Sequence, residues 1–310
     1  MANRILSSHV RVMSNAGPPL SGTSGTGVGD PRLEAGSVIE DTTNGVIYVN
    51  EGTAVSPYWT PAGLDQPPLF GVHTDFRDQA GKALANTAAE AIIPGSGLRI
   101  FGQGIEVNGD SGLVANAATE GGTTARLHAT NETSHLAAIG MDAGVMQPDQ
   151  HGKLTVDVEF TSVTNILTRA FFLGFAGTAA DALDPVATGA TVTLTLVQDD
   201  LAGILMDSRL TDAAGLMAAH NKSNEAATLL VAATGVDTGS DMPAAATFVR
   251  LRVEITAAGL MVCFKDKVQI ASIAASLDAD EEVSPVFYVE TTTAATKAVD
   301  IRRFSAFAYR

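Results

Sequence analysis

Between residues 247 and 273 the chain reads "TFVRLRVEITAAGLMVCFKDKVQIASI", and its first half alternates strictly. Val249, Leu251, Val253 and Ile255 fall on one face, and Arg250, Arg252, Glu254 and Thr256 on the other. That period of two is the mark of a half-buried antiparallel strand, with its polar face toward solvent or another subunit. Ala257-Ala258-Gly259 turns the chain and Asp266-Lys267 turns it again, so the stretch predicts a three-stranded meander.

Short apolar runs broken by Gly, Asp and Asn recur through residues 97 to 309: 97–101, 105–107, 123–129, 154–161, 168–175, 190–197, 203–206, 228–232, 247–256, 260–264, 268–273, 283–290 and 299–309. Strands at this spacing predict one large antiparallel β-sandwich. The helical alternatives are weak. "TDAAGLMAAHNKSNEAATLLVAAT" (211–234) is Ala-rich, but Gly215, Asn221 and Asn224 interrupt it and no amphipathic stripe survives more than two turns, so it predicts a short helix at most. The tract "AGKALANTAAEAII" (80–93) reads the same way.

The N-terminal part is different. Residues 16–36, "AGPPLSGTSGTGVGDPRLEAG", are too rich in Gly, Ser, Thr and Pro to hold a helix or bury a core, which predicts a linker or an extended arm ordered by a partner. Two hairpins follow. Residues 37–41 and 46–50 flank "TTNG" (42–45), where Asn44-Gly45 is a strong hairpin signal because both residues tolerate positive φ. Glu51-Gly52 then turns the chain toward a short strand ending near Trp59, the only tryptophan. A sheet of about 25 residues is marginal alone, so this one must lean on something else. Pro67-Pro68 marks the next boundary, and the expected organisation is an arm and hairpin anchor over 1–66 and a sandwich over 67–310.

Composition narrows the function. Thirty-four acidic against 19 basic residues give a net charge of −15, and Arg302-Arg303 is the only adjacent basic pair, which argues against direct contact with nucleic acid. The start lacks the apolar core of a secretory signal. No window approaches about 18 uninterrupted apolar residues, so no membrane span is expected. The single cysteine, Cys263, has apolar flanks and reads as a buried thiol.

Candidate chemistry is sparse. The six histidines stand apart from one another at no metal-binding spacing. "GTSGTGVG" (22–29) and "IIPGSGLRIFGQG" (92–104) lack the Lys-Ser/Thr of a phosphate loop and the strand-to-helix setting of a dinucleotide fingerprint. Ser96 lacks a complete nucleophile elbow. The acidic stretches 108–112, 236–241 and 278–282 match no twelve-residue calcium loop and read as solvated turns. Carboxylate pairs for glycoside hydrolysis depend on the fold and get no support from spacing. The sequons at Asn131 and Asn221 carry no weight without a secretion signal. The expectation is a non-enzymatic protein with no catalytic residue, cofactor or metal.

The leader "SGTSGTGVGDPRLEAGSVIEDTTNGVIYVNEGTAVSPYWT" resembles those of tailed-bacteriophage virion structural proteins, with D-T-T-N-G, Y-x-N-x-G-T and S-P-x-W in order. The stretches "RLRVEITAAGLMVCFKDKVQIASI" and "SPVFYVETTTAATKAVDIRRFSAFAY" are similar to the last strands of concanavalin-like (laminin-G-like) jelly-roll modules in such proteins. The match covers roughly the first 60 and last 65 residues. It implies an all-β chain made in the host cytoplasm and carried on the capsid surface. In this reading the arm clamps onto the major capsid protein or another virion component, and the jelly roll projects outward, commonly as a homotrimer. Tyr48, Val49, Tyr58 and Trp59 are then the expected capsid anchor, because aromatic side chains give large contact area at low entropic cost. The alternative is a carbohydrate-binding fibre module that contacts a host-surface glycan; a glycoside hydrolase or lyase on the same fold is the third.

Overall fold

The computed structural model describes residues 13–62, 70–74, 76, 91–92, 97–101, 112–116, 124–129, 136–141, 146–162, 169–177, 187–188, 195–196, 200–210, 212–221, 237–243, 247–293 and 297–309. Every regular element among them is a strand. The chain divides into two compact units, Met1–Pro68 and Leu69–Tyr309.

The first unit holds β1 (Met13–Asn15), β2 (Val38–Asp41), β3 (Val46–Asn50) and β4 (Trp59–Pro61) in that spatial order. The turn joining β2 to β3 has four residues, 42–45, and among its residues only Gly45 takes positive φ. Asp41 makes this possible: its carboxylate accepts the backbone N–H groups of Thr43 and Asn44, and its carbonyl accepts Gly45 N–H at 2.8 Å. The turn expected over 42–45 is thus present and capped by an Asp side chain, with the positive φ at Gly45 and not at Asn44.

The Gly-rich leader is folded. It packs on its own hairpins: Gly22 N–H donates to Pro57 O, Gly29 N–H to Ala54 O and Gly36 N–H to Asn50 O, at 2.7–2.8 Å. Ser21 and Leu33 are buried. The expectation that only a partner orders residues 16–36 is therefore corrected. Glycines admit the backbone close to the hairpin, and backbone hydrogen bonds supply what side chains cannot.

The second unit is a two-sheet sandwich with a separate pair of two-residue strands, Ala187–Thr188 and Thr195–Leu196. Its strands are β5 (Phe70–Thr74), β6 (Ala91–Ile92), β7 (Arg99–Phe101), β8 (Gly112–Asn116), β9 (Thr124–Ala129), β10 (Leu136–Gly140), β11 (Lys153–Ser162), β12 (Arg169–Ala176), β13 (Ala187–Thr188), β14 (Thr195–Leu196), β15 (Leu201–Asp207), β16 (Gly215–Asn221), β17 (Asp237–Asp241), β18 (Val249–Thr256), β19 (Met261–Lys265), β20 (Val268–Ile273), β21 (Ser284–Thr291) and β22 (Lys297–Tyr309). One sheet runs β20-β19-β18-β11-β22-β9-β8, with β5 on the C-terminal half of β22. The other runs β17-β16-β15-β12-β21-β10-β7-β6. Successive strands from β9 to β12, and again from β20 to β22, cross from sheet to sheet, which makes the sandwich a concanavalin-like jelly roll.

The expected meander is present as β18–β19–β20. Alternation sends Val156, Val158 and Phe160 of β11, Leu251 and Val253 of β18 and Phe304 of β22 inward, against Phe171, Leu173 and Phe287 of the facing sheet. Phe160 meets Phe171 edge-on with centroids 5.2 Å apart and Phe287 at 4.8 Å. The second sheet is apolar on its other face too, where Leu136, Phe172, Leu205, Met217 and Tyr288 form a separate buried cluster. Gly174 and Gly203 stand opposite each other there under the Phe172 ring, and a Cβ on Gly203 would meet that ring at 2.7 Å.

Two expectations need correction. The short helix allowed in 211–234 is strand β16 over Gly215–Asn221, because its small Ala and Gly residues fit between β15 and β17 on a sheet buried on both faces. The polar face of β18 is not all solvent-facing: Arg252 and Glu254 are 3% and 2% exposed. Arg252 and Glu254 pair at 2.5 Å, and Lys153 stands 3.6 Å from Glu254, so burial of one charge is compensated by the others. Runs 105–107 and 228–232, the sequon at Asn131 and most of 80–93 lie outside the described residues, and Asn221 of the other sequon is buried at the end of β16.

Candidate functional site: a cation-lined cleft on the first sheet

Tyr48, Tyr58 and Trp59 are each 0% exposed. Tyr58 N–H donates to the Asn50 side-chain oxygen at 2.8 Å, Trp59 N–H to the Ser21 hydroxyl at 3.0 Å, and the indole nitrogen to Thr26 O at 3.3 Å. These aromatics form the interior of the first unit and not its docking surface, which corrects the expected anchor. Of the four residues, only Val49 lies on the outer face, half-buried, beside exposed Ile47 and half-buried Val38. The even positions of β3 are buried and its odd positions face outward, so a single step of register separates the two groups.

The outer face of the first sheet has a cleft of about 290 Å³ where β11, β18 and β22 meet the β19–β20 turn. Its geometry starts at the only adjacent basic pair. Neighbours on a strand normally point to opposite faces. Here the register of β22 against β11 shifts between Glu159 and Phe160: Glu159 faces Arg303, and Phe160 faces Ile301. Arg302 is the extra residue of this bulge, so Arg302 and Arg303 both lie on the outer face while Ile301 and Phe304 point into the core.

Buried Asp157 then holds two guanidinium groups at once. Arg250 Nε donates to its two oxygens at 3.0 and 2.8 Å, and one terminal nitrogen of Arg303 donates at 3.0 Å. Burial works to raise the Asp157 pKa, but Arg250, Arg303 and Arg252 outweigh it and hold the carboxyl below its ordinary value. Arg302 donates to Glu159 at 2.7 Å and stacks over Phe248, 3.7 Å from the ring centre. The Nε of Arg303 is buried and has no acceptor among the described residues.

The fourth wall is a strained turn. Asp266 and Lys267 have φ of 48° and 71°, a left-handed pair made without glycine. Asp266 N–H donates to Arg250 O at 2.8 Å and Arg250 N–H donates to the Asp266 carboxylate at 2.9 Å, which holds the turn and places Lys267 at the cleft rim. Four cations, Arg250, Lys267, Arg302 and Arg303, meet three carboxylates, Asp157, Glu159 and Asp266, on a chain whose net charge is −15.

Sequence reasoning missed this cleft. Its traces were the Arg302-Arg303 pair, used only to argue against nucleic acid, and the Arg250-x-Arg252 alternation, read as a face toward solvent or another subunit. Among the described residues no three His, Cys, Asp or Glu side chains gather as a metal site. In the acidic turn 278–282, burial, then Asp200, Asp280 and Asp278, raise the pKa of Glu281.

No family model and no curated protein matches the chain. Solved structures similar to it include a protein of unknown function from Shewanella oneidensis MR-1, at 12% identity over 77% of this chain and 86% of that one, TM-score 0.49. The Emp47p carbohydrate recognition domain matches at 13% over 74% and 94%, TM-score 0.44. Peanut lectin matches at 11% over 78% and 99%, TM-score 0.44. All are far too distant in sequence to say anything of a ligand.

Proposed function

We propose that the chain is a non-enzymatic recognition protein whose sandwich binds carbohydrate and whose N-terminal unit attaches it to a tailed-phage virion. The cleft carries the carbohydrate reading. Fixed Arg donors, carboxylate acceptors and the Phe248 ring beside one another are the groups that hydrogen-bond sugar hydroxyls and cover the apolar face of a sugar ring. A glycan array probed with the full chain tests it: specific binding to a defined set of glycans is expected, and uniform failure to bind any saccharide at millimolar concentration overturns it.

Capsid decoration, as a homotrimer, is the second reading. It is favoured by the resemblance of the leader and by the outer face of the small sheet, where Val38 pairs with Val49 and Ile47 lies two residues before Val49 on the same face, opposite Glu40. The docking residues are then these aliphatic side chains. Ile47→Asp with Val49→Asp should abolish co-sedimentation with phage capsids while the fold survives; unchanged capsid binding counts against this reading.

A further inference from the structure

We propose that the cleft between Arg303, Lys267 and Phe248 binds an acidic saccharide, with the carboxylate of a uronic-acid-type residue lodged against Arg303 and Arg250. The proposal rests on the carbohydrate reading and adds the ligand class and its site.

Three observations carry it. First, the bulge at Arg302 brings both members of the basic pair to one face, an expense of regular pairing at the place where the cleft opens. Second, Arg303 lines the cleft with its side chain 27% exposed, and among the described residues only its Nη2 is engaged, by Asp157, which leaves Nη1 without an acceptor. A ligand carboxylate entering the cleft supplies one, as a charge-assisted hydrogen bond. Third, Asp157 binds both Arg250 and Arg303 from beneath, so the two guanidinium groups are already immobilised and little side-chain entropy is lost on binding.

The rest of the cleft suits a sugar more than a bare anion. Phe248, held by Arg302 on one side, offers an apolar plate, and Glu159 and Asp266 offer acceptors for hydroxyl groups. At about 290 Å³ the space is at the lower end for small-molecule pockets, which fits one sugar ring with its neighbours outside. A phosphate ion would gain nothing from the ring.

Calorimetric titration of the full chain with an oligogalacturonate, its methyl ester, a neutral oligosaccharide and inorganic phosphate tests this. The oligogalacturonate should bind, and esterification should weaken it about tenfold or more, the worth of a charged hydrogen bond. Phe248→Ala and Lys267→Gln should each weaken binding several-fold without shifting the thermal unfolding of the protein, and Arg303→Lys should do so while retaining the charge. Equal binding of the ester, full competition by equimolar phosphate, or unchanged affinity in all three variants overturns the proposal. Binding of the neutral oligosaccharide alone overturns it and leaves the carbohydrate reading standing; binding of none overturns both.

Discussion

The indole nitrogen of Trp59 donates to the main-chain carbonyl of Thr26, 33 residues earlier in the chain, at 3.3 Å. This bond ties the Gly-rich leader to the last strand of the small sheet, and it explains why so short a sheet stands at all. The leader supplies the missing layer.

Removing that ring should therefore unfold the first unit. Trp59→Ala should cost about 3–5 kcal/mol, as for other fully buried large aromatics. Because Trp59 is the only tryptophan, its fluorescence reports the first unit in the wild type: acrylamide should quench it poorly until denaturant is added. Quenching as efficient as for free tryptophan would contradict its burial.

Asn50 is the polar counterpart. Its side chain donates to Leu33 O at 2.6 Å and accepts from Gly52 N–H at 2.9 Å and Tyr58 N–H at 2.8 Å. Asn50→Ala leaves these buried backbone groups without partners and should destabilise the first unit by about 2–4 kcal/mol, read from the Trp59 denaturation midpoint.

The sandwich should be sensitive to pH near neutrality. Burial pushes the Glu290 carboxyl up to about 7 against an ordinary 4.5; Arg209, 3.2 Å away, opposes the rise and Asp207 adds to it. Between those two values the folded state holds a proton that the unfolded state has released, so stability falls as pH rises. The loss is about 3 kcal/mol at most, complete above pH 7. Glu290→Gln should flatten this part of the pH profile and stabilise the protein at pH 8. A wild-type denaturation midpoint that rises from pH 5 to 7.5, with the variant following it, would refute the assignment.

Cys263 should be inert. It is fully buried, and burial pushes its thiol up to about 12. Ellman's reagent should react with it only on unfolding, at a rate that follows denaturant; prompt stoichiometric reaction in buffer would show that β19 is open to solvent.

Asp157→Asn should separate structural from binding roles. It removes the charge shared by Arg250 and Arg303, and loss of one member of such a buried cluster costs about 3–5 kcal/mol. The sandwich should melt earlier, and the variants at Phe248 and Lys267 should not.

The all-β class, the meander at 249–273 and the buried state of Cys263 could be read directly from the chain, because period-two alternation and apolar flanks are local signals. Strand β16 could not, since "GLMAAHN" has no alternation when both faces of its sheet are buried. Nor could the role of Trp59: the breakers around it predicted a lone hairpin, and nothing local says that 16–36 folds back over it.

The sequence alone determined the all-β class and, in regularly alternating strands such as β3 and β18, which side chains share a face, since both follow from neighbours one or two positions apart. Only the tertiary structure decided which faces are covered and which charges meet. Asp157 and Arg303 are 146 residues apart, and they meet only through the pairing of β11 with β22. The bulge that turns Arg302 to the same side is set by that pairing, and no residue spacing announces it. Long-range register is a property of two strands together, so the cleft it creates exists only in the folded chain.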